Sequence, residues 1–211
     1  PDVDRFDGEA VRLTQAYAAC HVCSPTRASL LSGQYPARLQ LTDWLPGRKE
    51  FPFQRLKNAE IRQHLPLEVV TLAEVLREHG YATGHLGKWH LGEDPHGPLA
   101  QGFEVQLPRW NKGWPKSGYF APFEMEGLTA KPGDYLTDRL TDEALAFVRQ
   151  HRERPFFLYL SHFAVHDPIQ GPPELVEKYR RKLAAVSPAA GPVFGLEGNP
   201  DDVMPLSHDE R

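Results

Sequence analysis

The sequence predicts an α/β fold in which a mostly parallel central sheet is flanked by helices. Three observations carry that expectation. Helical and strand-like segments alternate along the chain. Phe156-Phe157-Leu158-Tyr159-Leu160 is a continuous apolar run of the kind found in strands buried on both faces. Segments rich in chemistry, Gly87-Lys88-Trp89-His90 and His162 to Asp167, follow directly on strand-like stretches, and open α/β sheets place ligands at the carboxyl ends of their strands. With 211 residues, 40% hydrophobic and 25% charged, the chain can bury one substantial core.

The elements follow in order. Val11, Leu13, Gln15 and Tyr17 alternate, which predicts a strand leading into a turn. From Cys23 to Gly33 the chain reads as a short helix, with Ser24 as N-cap, Pro25 at the first helical position where a missing N–H costs nothing, and Gly33 ending it. Arg38 to Pro66 has little periodicity and several Pro and Gly, so it is expected as a surface loop near the site mouth. Thr71 to His79 is a strong helix: Thr71 and Glu74 form a capping box, Leu72, Val75 and Leu76 make an apolar face, and Gly80 terminates it. Tyr81 to Leu86 is the next strand. Residues 93 to 133 read as an excursion over the rim with limited regular structure. Its aromatics, Trp110, Trp114, Tyr119, Phe120 and Phe123, pack the loop or stack on a sugar or aryl group. Tyr135 to His151 is helical through Leu136, Leu140, Ala144, Phe147 and Val148 until Pro155 breaks the pattern. Glu174 to Lys182 is a short helix and Ser187 to Pro200 a loop. No internal repeat is evident.

Charge and composition exclude several classes. A net charge of -4, with no basic stripe beyond Lys178, Arg180, Arg181 and Lys182, argues against a nucleic-acid binder. That cluster reads as a solvated helix face. No apolar run reaches membrane-spanning length. The chain starts at Pro1 without a charged-then-apolar leader, so a signal peptide is expected to have been removed or never included. Cys20 and Cys23 are three residues apart, a spacing shared by redox pairs and half zinc sites. Against zinc, there is no second Cys pair and only His21 is nearby. Against a redox pair, Cys23 opens a Ser-Pro-Thr-Arg run suited to oxyanions. Cys20 is then expected as a small buried residue.

The Cys23 helix is the centre of the chemistry. Its free N–H groups and positive dipole end favour an anion, and Arg27, one turn on, adds a planar cationic fork matching oxyanion geometry. A nucleophile beside an anion site suits an oxyanion ester.

Cys23-x-Pro25-Thr26-Arg27 with its trailing Ser29-Leu30-Leu31-Ser32-Gly33 resembles the type I sulfatase signature, in which the cysteine is oxidised to formylglycine. Gly84-His85-Leu86-Gly87-Lys88-Trp89-His90-Leu91-Gly92 resembles that family's second signature, and His162 to Pro168 its third. The resemblance implies the alkaline-phosphatase-like sulfatase fold. It implies a sulfuric ester hydrolase acting on a carbohydrate or aryl sulfate, with a sulfated small molecule or glycan as substrate and a formylglycine-generating enzyme as partner. Arg27 and Lys88 would hold the formylglycine hydrate, His90 would be the base, and His166 would contact the sulfate and assist the leaving oxygen. Calcium is the implied metal, touched from here only by the modified Cys23. Periplasmic or secreted location is implied as well. The paired metal-binding Asp of the family's first strand, a later Asp-Asn pair and a second Lys have no counterpart. Asp2 and Asp4 follow where that strand would end, and Asp201 and Asp202 lack a preceding apolar strand. Residues 1–211 are therefore expected to be a partial catalytic domain, truncated at both ends and inactive alone.

Two other readings compete. The same Cys-derived aldehyde serves phosphonate and phosphodiester hydrolases of the superfamily, and Cys20 with Cys23 would suit a non-catalytic thiol or zinc module. His162 is expected to be structural, and His21, His64, His79, His85, His96, His151 and His208 to be surface or packing residues. Asp43-Trp44 would either contact substrate or anchor a loop.

Overall fold

The computed structural model describes residues 2–185 and two short strands beyond them, 194–196 and 203–205. Its centre is a three-stranded parallel sheet, β1 (Ala82–Gly87), β2 (Val105–Leu107) and β3 (Phe156–Ser161), in the order β2-β1-β3. Helices α1 (Asp2–Glu9), α2 (Cys23–Ser32), α3 (Pro36–Leu39) and α4 (Leu72–Glu78) precede the sheet. Helix α5 (Leu136–His151) connects β2 to β3, and α6 (Pro173–Ala184) follows. Strands β4 (Phe194–Leu196) and β5 (Val203–Pro205) pair antiparallel. Asp201, Asp202 and His208 lie outside the described residues.

β1 is central and buried along its whole length. Gly84 faces α5, where a Cβ would come within 2.7 Å of the Phe147 ring, so only a glycine lets the helix lie this close. The neighbouring His85 points the other way, among Trp89, Phe103 and Tyr159, as strand alternation requires. That side belongs to the main core, built from Ala28 and Leu31 of α2, Leu39, Leu41, Leu45, Leu65, Ala73, Trp89, Leu91 and Phe103. Burying one such leucine is worth about 1.5–3 kcal/mol. A second core joins Tyr119, Met125 and Leu128 to Leu136 and Leu140 of α5 and to Phe163.

Several expectations are corrected. Residues 11–17 form no strand: Val11, Leu13 and Tyr17 are exposed, and alternation without a neighbouring strand has nothing to pair with. Ser24 is not the N-cap of α2. Val22 takes that position without a side-chain cap, while the buried Ser24 hydroxyl accepts a hydrogen bond from Leu45 N at 3.2 Å. Pro25 therefore stands third in the helix, still among the N–H positions that have no intrahelical partner. Gly33 ends α2 at φ 66° as expected.

The 38–66 segment is less superficial than expected, because Leu39, Leu41, Leu45 and Leu65 plug the main core. The α4 capping box is present, but Leu72 and Val75 are exposed and Ala73 is the buried residue. The 93–133 excursion contains β2 and a 3₁₀ turn at Pro98–Gln101. β2 escaped notice because three residues are too few for periodicity. β3 is only half-buried, and among the described residues it pairs with β1 alone, at the edge of their sheet. Residues 187–200, read as loop, include β4. The basic residues of α6 are exposed, as expected of a solvated face. Among the described residues, no helix is long and apolar enough to cross a membrane.

Candidate active site

The start of α2 and the carboxyl ends of β1 and β3 converge. At the end of β1, Gly87 lets the chain turn against β3, and Lys88 N donates to the Ser161 carbonyl at 2.6 Å. Trp89 and Leu91 are wholly buried in the main core, leaving the alternate residues Lys88 and His90 to face α2.

Cys23, the first residue of α2, is half-buried, and its Sγ lies 3.1 Å from His90 Nδ1. The other ring nitrogen settles the tautomer. His90 Nε2 is 2.8 Å from the Leu45 carbonyl, which can only accept, so Nε2 carries the proton and neutral His90 presents a bare Nδ1 to Cys23. Burial, helped by the cations Lys88, Arg27 and Lys112, pushes His90 down to about 4 against the pull of the Leu45 carbonyl. The ring is thus neutral near pH 7. His90 also holds a left-handed backbone, φ 58°, a conformation that costs a non-glycine residue on the order of 1–3 kcal/mol and clusters at functional sites.

Lys88 is buried and hydrogen-bonded to the Cys23 side chain. Burial is the main force lowering it to about 8, with Arg27 acting in the same direction and Cys23 opposing. Arg27 ties three segments together: Nη1 donates to the Lys88 carbonyl at 2.8 Å, to the Tyr159 hydroxyl at 3.5 Å and to Ser161 Oγ. Its Nε is buried with no hydrogen-bond partner among the described residues, a donor of the kind an oxyanion could take up. Burial lowers the guanidinium from its ordinary value.

The structure thus brings Cys23, Arg27, Lys88 and His90 together. His166 has an exposed ring, with Nδ1 3.2 Å from the neighbouring Asp167 carbonyl. Cys20 is half-exposed rather than buried. Its Sγ lies 3.9 Å from His21 Nδ1 and both cysteines are free, so the two thiols face different partners. His162 has a buried Nδ1 without a partner among the described residues. Asp43 pairs with Arg48 at 2.8 Å and accepts from Trp44 N, so this loop serves the site through the Leu45 backbone rather than those side chains.

Sequence reasoning passed over three contributors. His85 is fully buried, and its Nε2 lies 3.2 Å from the Lys88 carbonyl that Arg27 also grips. A lone polar residue between Gly84 and Leu86 in a buried strand was its signal. Ser161, ending β3, had a signal only in its position after the apolar run. The Leu45 carbonyl had none, since any residue supplies one.

The described residues do not fit a calcium cage: among them no three His, Cys, Asp or Glu side chains gather where a metal could sit. A cavity of about 410 Å³ opens beside His90, lined by Leu45, His64, His96, Lys112 and Trp114 among others. Its size is that of a small-molecule site.

The family model described as Sulfatase matches residues 1–187. This chain belongs to the sulfatase family. The sulfatase chain is 34% identical over 188 residues to N-acetylgalactosamine-6-sulfatase of Homo sapiens, covering 80% of this chain and 35% of that protein. It is 30% identical over 186 residues to an arylsulfatase of Hemicentrotus pulcherrimus, covering 78% and 32%. It therefore spans about a third of the length of these relatives. Among solved structures, Ps i-CgsB aligns with a TM-score of 0.61 at 29% identity, covering 78% of this chain and 39% of that one. BT4656, solved with its substrate D-glucosamine-2-N,6-O-disulfate, aligns at 0.65 and 24% identity, covering 86% and 32%, a likeness of fold. The structure of yidJ from Bacteroides fragilis aligns at 0.59 and 17% identity, covering 94% of this chain and 46% of that one, a likeness of fold that includes the parallel, helix-flanked sheet of this chain.

Proposed function

We propose that this chain carries the nucleophile half of a sulfuric ester hydrolase acting on carbohydrate or aryl sulfates, with Cys23 converted to formylglycine. The observation that carries the reading is the bare Nδ1 of neutral His90, 3.1 Å from Cys23 Sγ, with Lys88 bonded to the same side chain. The names of the relatives, a hexosamine 6-sulfatase and an arylsulfatase, support the substrate class. A formylglycine hydrate supplies one hydroxyl to attack sulfur and a second whose deprotonation releases sulfate.

The side chains divide the remaining work. His90 Nδ1 takes a proton at the position of the Cys23 side-chain terminus, while its Nε2–H stays on the Leu45 carbonyl and keeps the tautomer fixed. Lys88 places its ammonium at the same terminus, and Arg27 holds Lys88 through its carbonyl while Arg27 Nε remains open to an anion. The cavity beside His90 has room for the alcohol portion of the ester. His166, at the start of the loop after β3, is the proposed contact for the sulfate and leaving oxygen. Its exposed ring is open to a ligand from solvent.

The whole protein tests the proposal. A hydrazide probe should label the peptide containing Cys23 after expression in a host competent for the modification, and Cys23→Ala should lose both label and turnover. His90→Asn should lower kcat by about 10²- to 10⁴-fold, the usual worth of a positioned base. Matched aryl sulfate and aryl phosphonate esters separate the superfamily alternatives: a clear phosphonate preference, or Cys23 persisting as a free thiol, ends the sulfatase reading.

A further inference from the structure

His90 lies under a short loop, residues 110–114, that nothing in the three signatures includes. Its backbone N–H donates to the Asn111 carbonyl at 3.1 Å, and the Trp114 ring meets its imidazole edge-on, with centroids 6.3 Å apart at 85°. The loop is itself braced: Trp110 Nε1 donates to the Trp114 carbonyl at 2.6 Å, and the Asn111 side-chain oxygen accepts from Gln106 at 2.8 Å. Lys112 between them is ion-paired with Glu93. At the centre sits Gly113. A Cβ there would lie 2.3 Å from His90 Nδ1, 2.4 Å from Cε1 and 2.9 Å from Cγ. A side chain at 113 would therefore press on the face of the imidazole over Nδ1 and Cε1, beside the nitrogen that meets Cys23 Sγ at 3.1 Å.

Those distances leave the imidazole no freedom on that side. The Leu45 carbonyl holds Nε2 from the opposite end of the ring, and the main chain of His90 is itself in a left-handed conformation. We infer that Gly113 is a positioning residue, where a side chain would force His90 Nδ1 away from Cys23, and that residues 110–114 are the template that sets the ring. A methyl at 113 meets the ring, not the far end of a flexible chain, so the ring must rotate or the loop must lift. Either movement separates Nδ1 from Cys23 and strains the Nε2 bond to Leu45. The inference rests on the reading of His90 as the base, but its geometry can be tested without turnover.

The test combines spectroscopy with a double-mutant cycle. In the unmutated protein, the His90 Nε2–H, held by the Leu45 carbonyl, is expected to give a slowly exchanging imidazole proton signal. Gly113→Ala is expected to abolish it, while Gly8→Ala, in open space on α1, leaves it in place. The cycle locates the clash: Gly113→Ala should lower the unfolding midpoint on its own but have no such effect in a His90→Ala background, where the ring is gone. In turnover assays, Gly113→Ala should lower kcat with little change in KM. Should Gly113→Ala fail to fold, Trp114→Ala decides, because it only removes atoms and should raise the exchange rate of the same proton severalfold. An Nε2–H signal untouched in a folded Gly113→Ala, or in Trp114→Ala where that variant decides, overturns the inference. So does a midpoint loss that persists without the His90 ring. Loss of the signal with turnover intact counts against the base role of His90, not against the template.

Discussion

Gly87→Ala is expected to be the most damaging glycine-to-alanine change among the described residues. An alanine Cβ at this position would lie 2.0 Å from the Ser161 carbonyl oxygen and 2.7 Å from the Ser161 carbonyl carbon, both main-chain atoms that cannot turn aside. The backbone adds its own cost, since Gly87 holds φ 107°, a conformation that side chains rarely adopt. Strain of about 1–3 kcal/mol and overpacking of about 1–3 kcal/mol together remove a large part of a typical 5–15 kcal/mol stability. The loss also falls on the site. Ser161 pairs with Gly87 in the sheet, its carbonyl accepts from Lys88 N, and its hydroxyl receives Arg27. Parting β1 from β3 at this point therefore moves Lys88 and Arg27 together. Urea unfolding measures the effect, with Gly133→Ala as control: Gly133 has φ 88° but nothing within 4 Å of an added Cβ, so it carries strain without the clash. A Gly87→Ala protein no less stable than the Gly133→Ala protein would show that the close approach of the two strands carries no energetic weight.

The residues that supply polar side chains to the site were legible in the sequence because their neighbours constrain them. Cys23, Pro25 and Arg27 sit at the start of a helix that ends at a glycine in the left-handed conformation, and Lys88 and His90 follow a strand whose glycines permit close contact. Local rules specify such positions. The contributions that sequence reading missed are of another kind. The Leu45 carbonyl fixes the tautomer of His90 from 45 residues away, and Gly113 covers the ring from a loop that shows no periodicity. Backbone groups and bare Cα atoms act by position alone, and position is a property of the packed chain. The same limit explains the errors of fold. β3 was expected to be covered on both faces because its residues are apolar, but apolar character does not reveal that a strand stands at the edge of the sheet the described residues form. Residues 11–17 have a strand's alternation and no neighbour to pair with.

Stability is expected to fall as the pH drops from about 6.5 toward 3, with His85 as a principal cause. This imidazole is wholly buried, and burial pushes it down to about 3, with the Arg27 cation adding to the shift and the Lys88 carbonyl opposing it. The unfolded chain keeps the ordinary value near 6.5. Between those two values the unfolded state binds a proton that the fold refuses, so the stabilisation is complete above about 6.5 and is lost progressively on acidification, at up to about 1.4 kcal/mol per pH unit. The structure shows why the fold refuses it. His85 Nε2 already uses its proton on the Lys88 carbonyl, and Nδ1 is buried with no hydrogen-bond partner among the described residues, so a second proton would be an unpaired donor beside a guanidinium. The aromatic walls of Trp89 and Phe103 offer no acceptor. His85→Gln keeps an amide donor for the Lys88 carbonyl and removes the titration. Its loss of ring contacts should lower stability at pH 7, while the difference in unfolding free energy between pH 7 and pH 5 should shrink relative to the unmutated protein by roughly 2 kcal/mol. His90, also held low by burial, stays in both proteins and cancels from the comparison. Equal slopes in the two proteins would mean that His85 takes up its proton inside the fold. The Nε2–H bond to the Lys88 carbonyl would persist, and the new Nδ1–H would be the group that needs an acceptor.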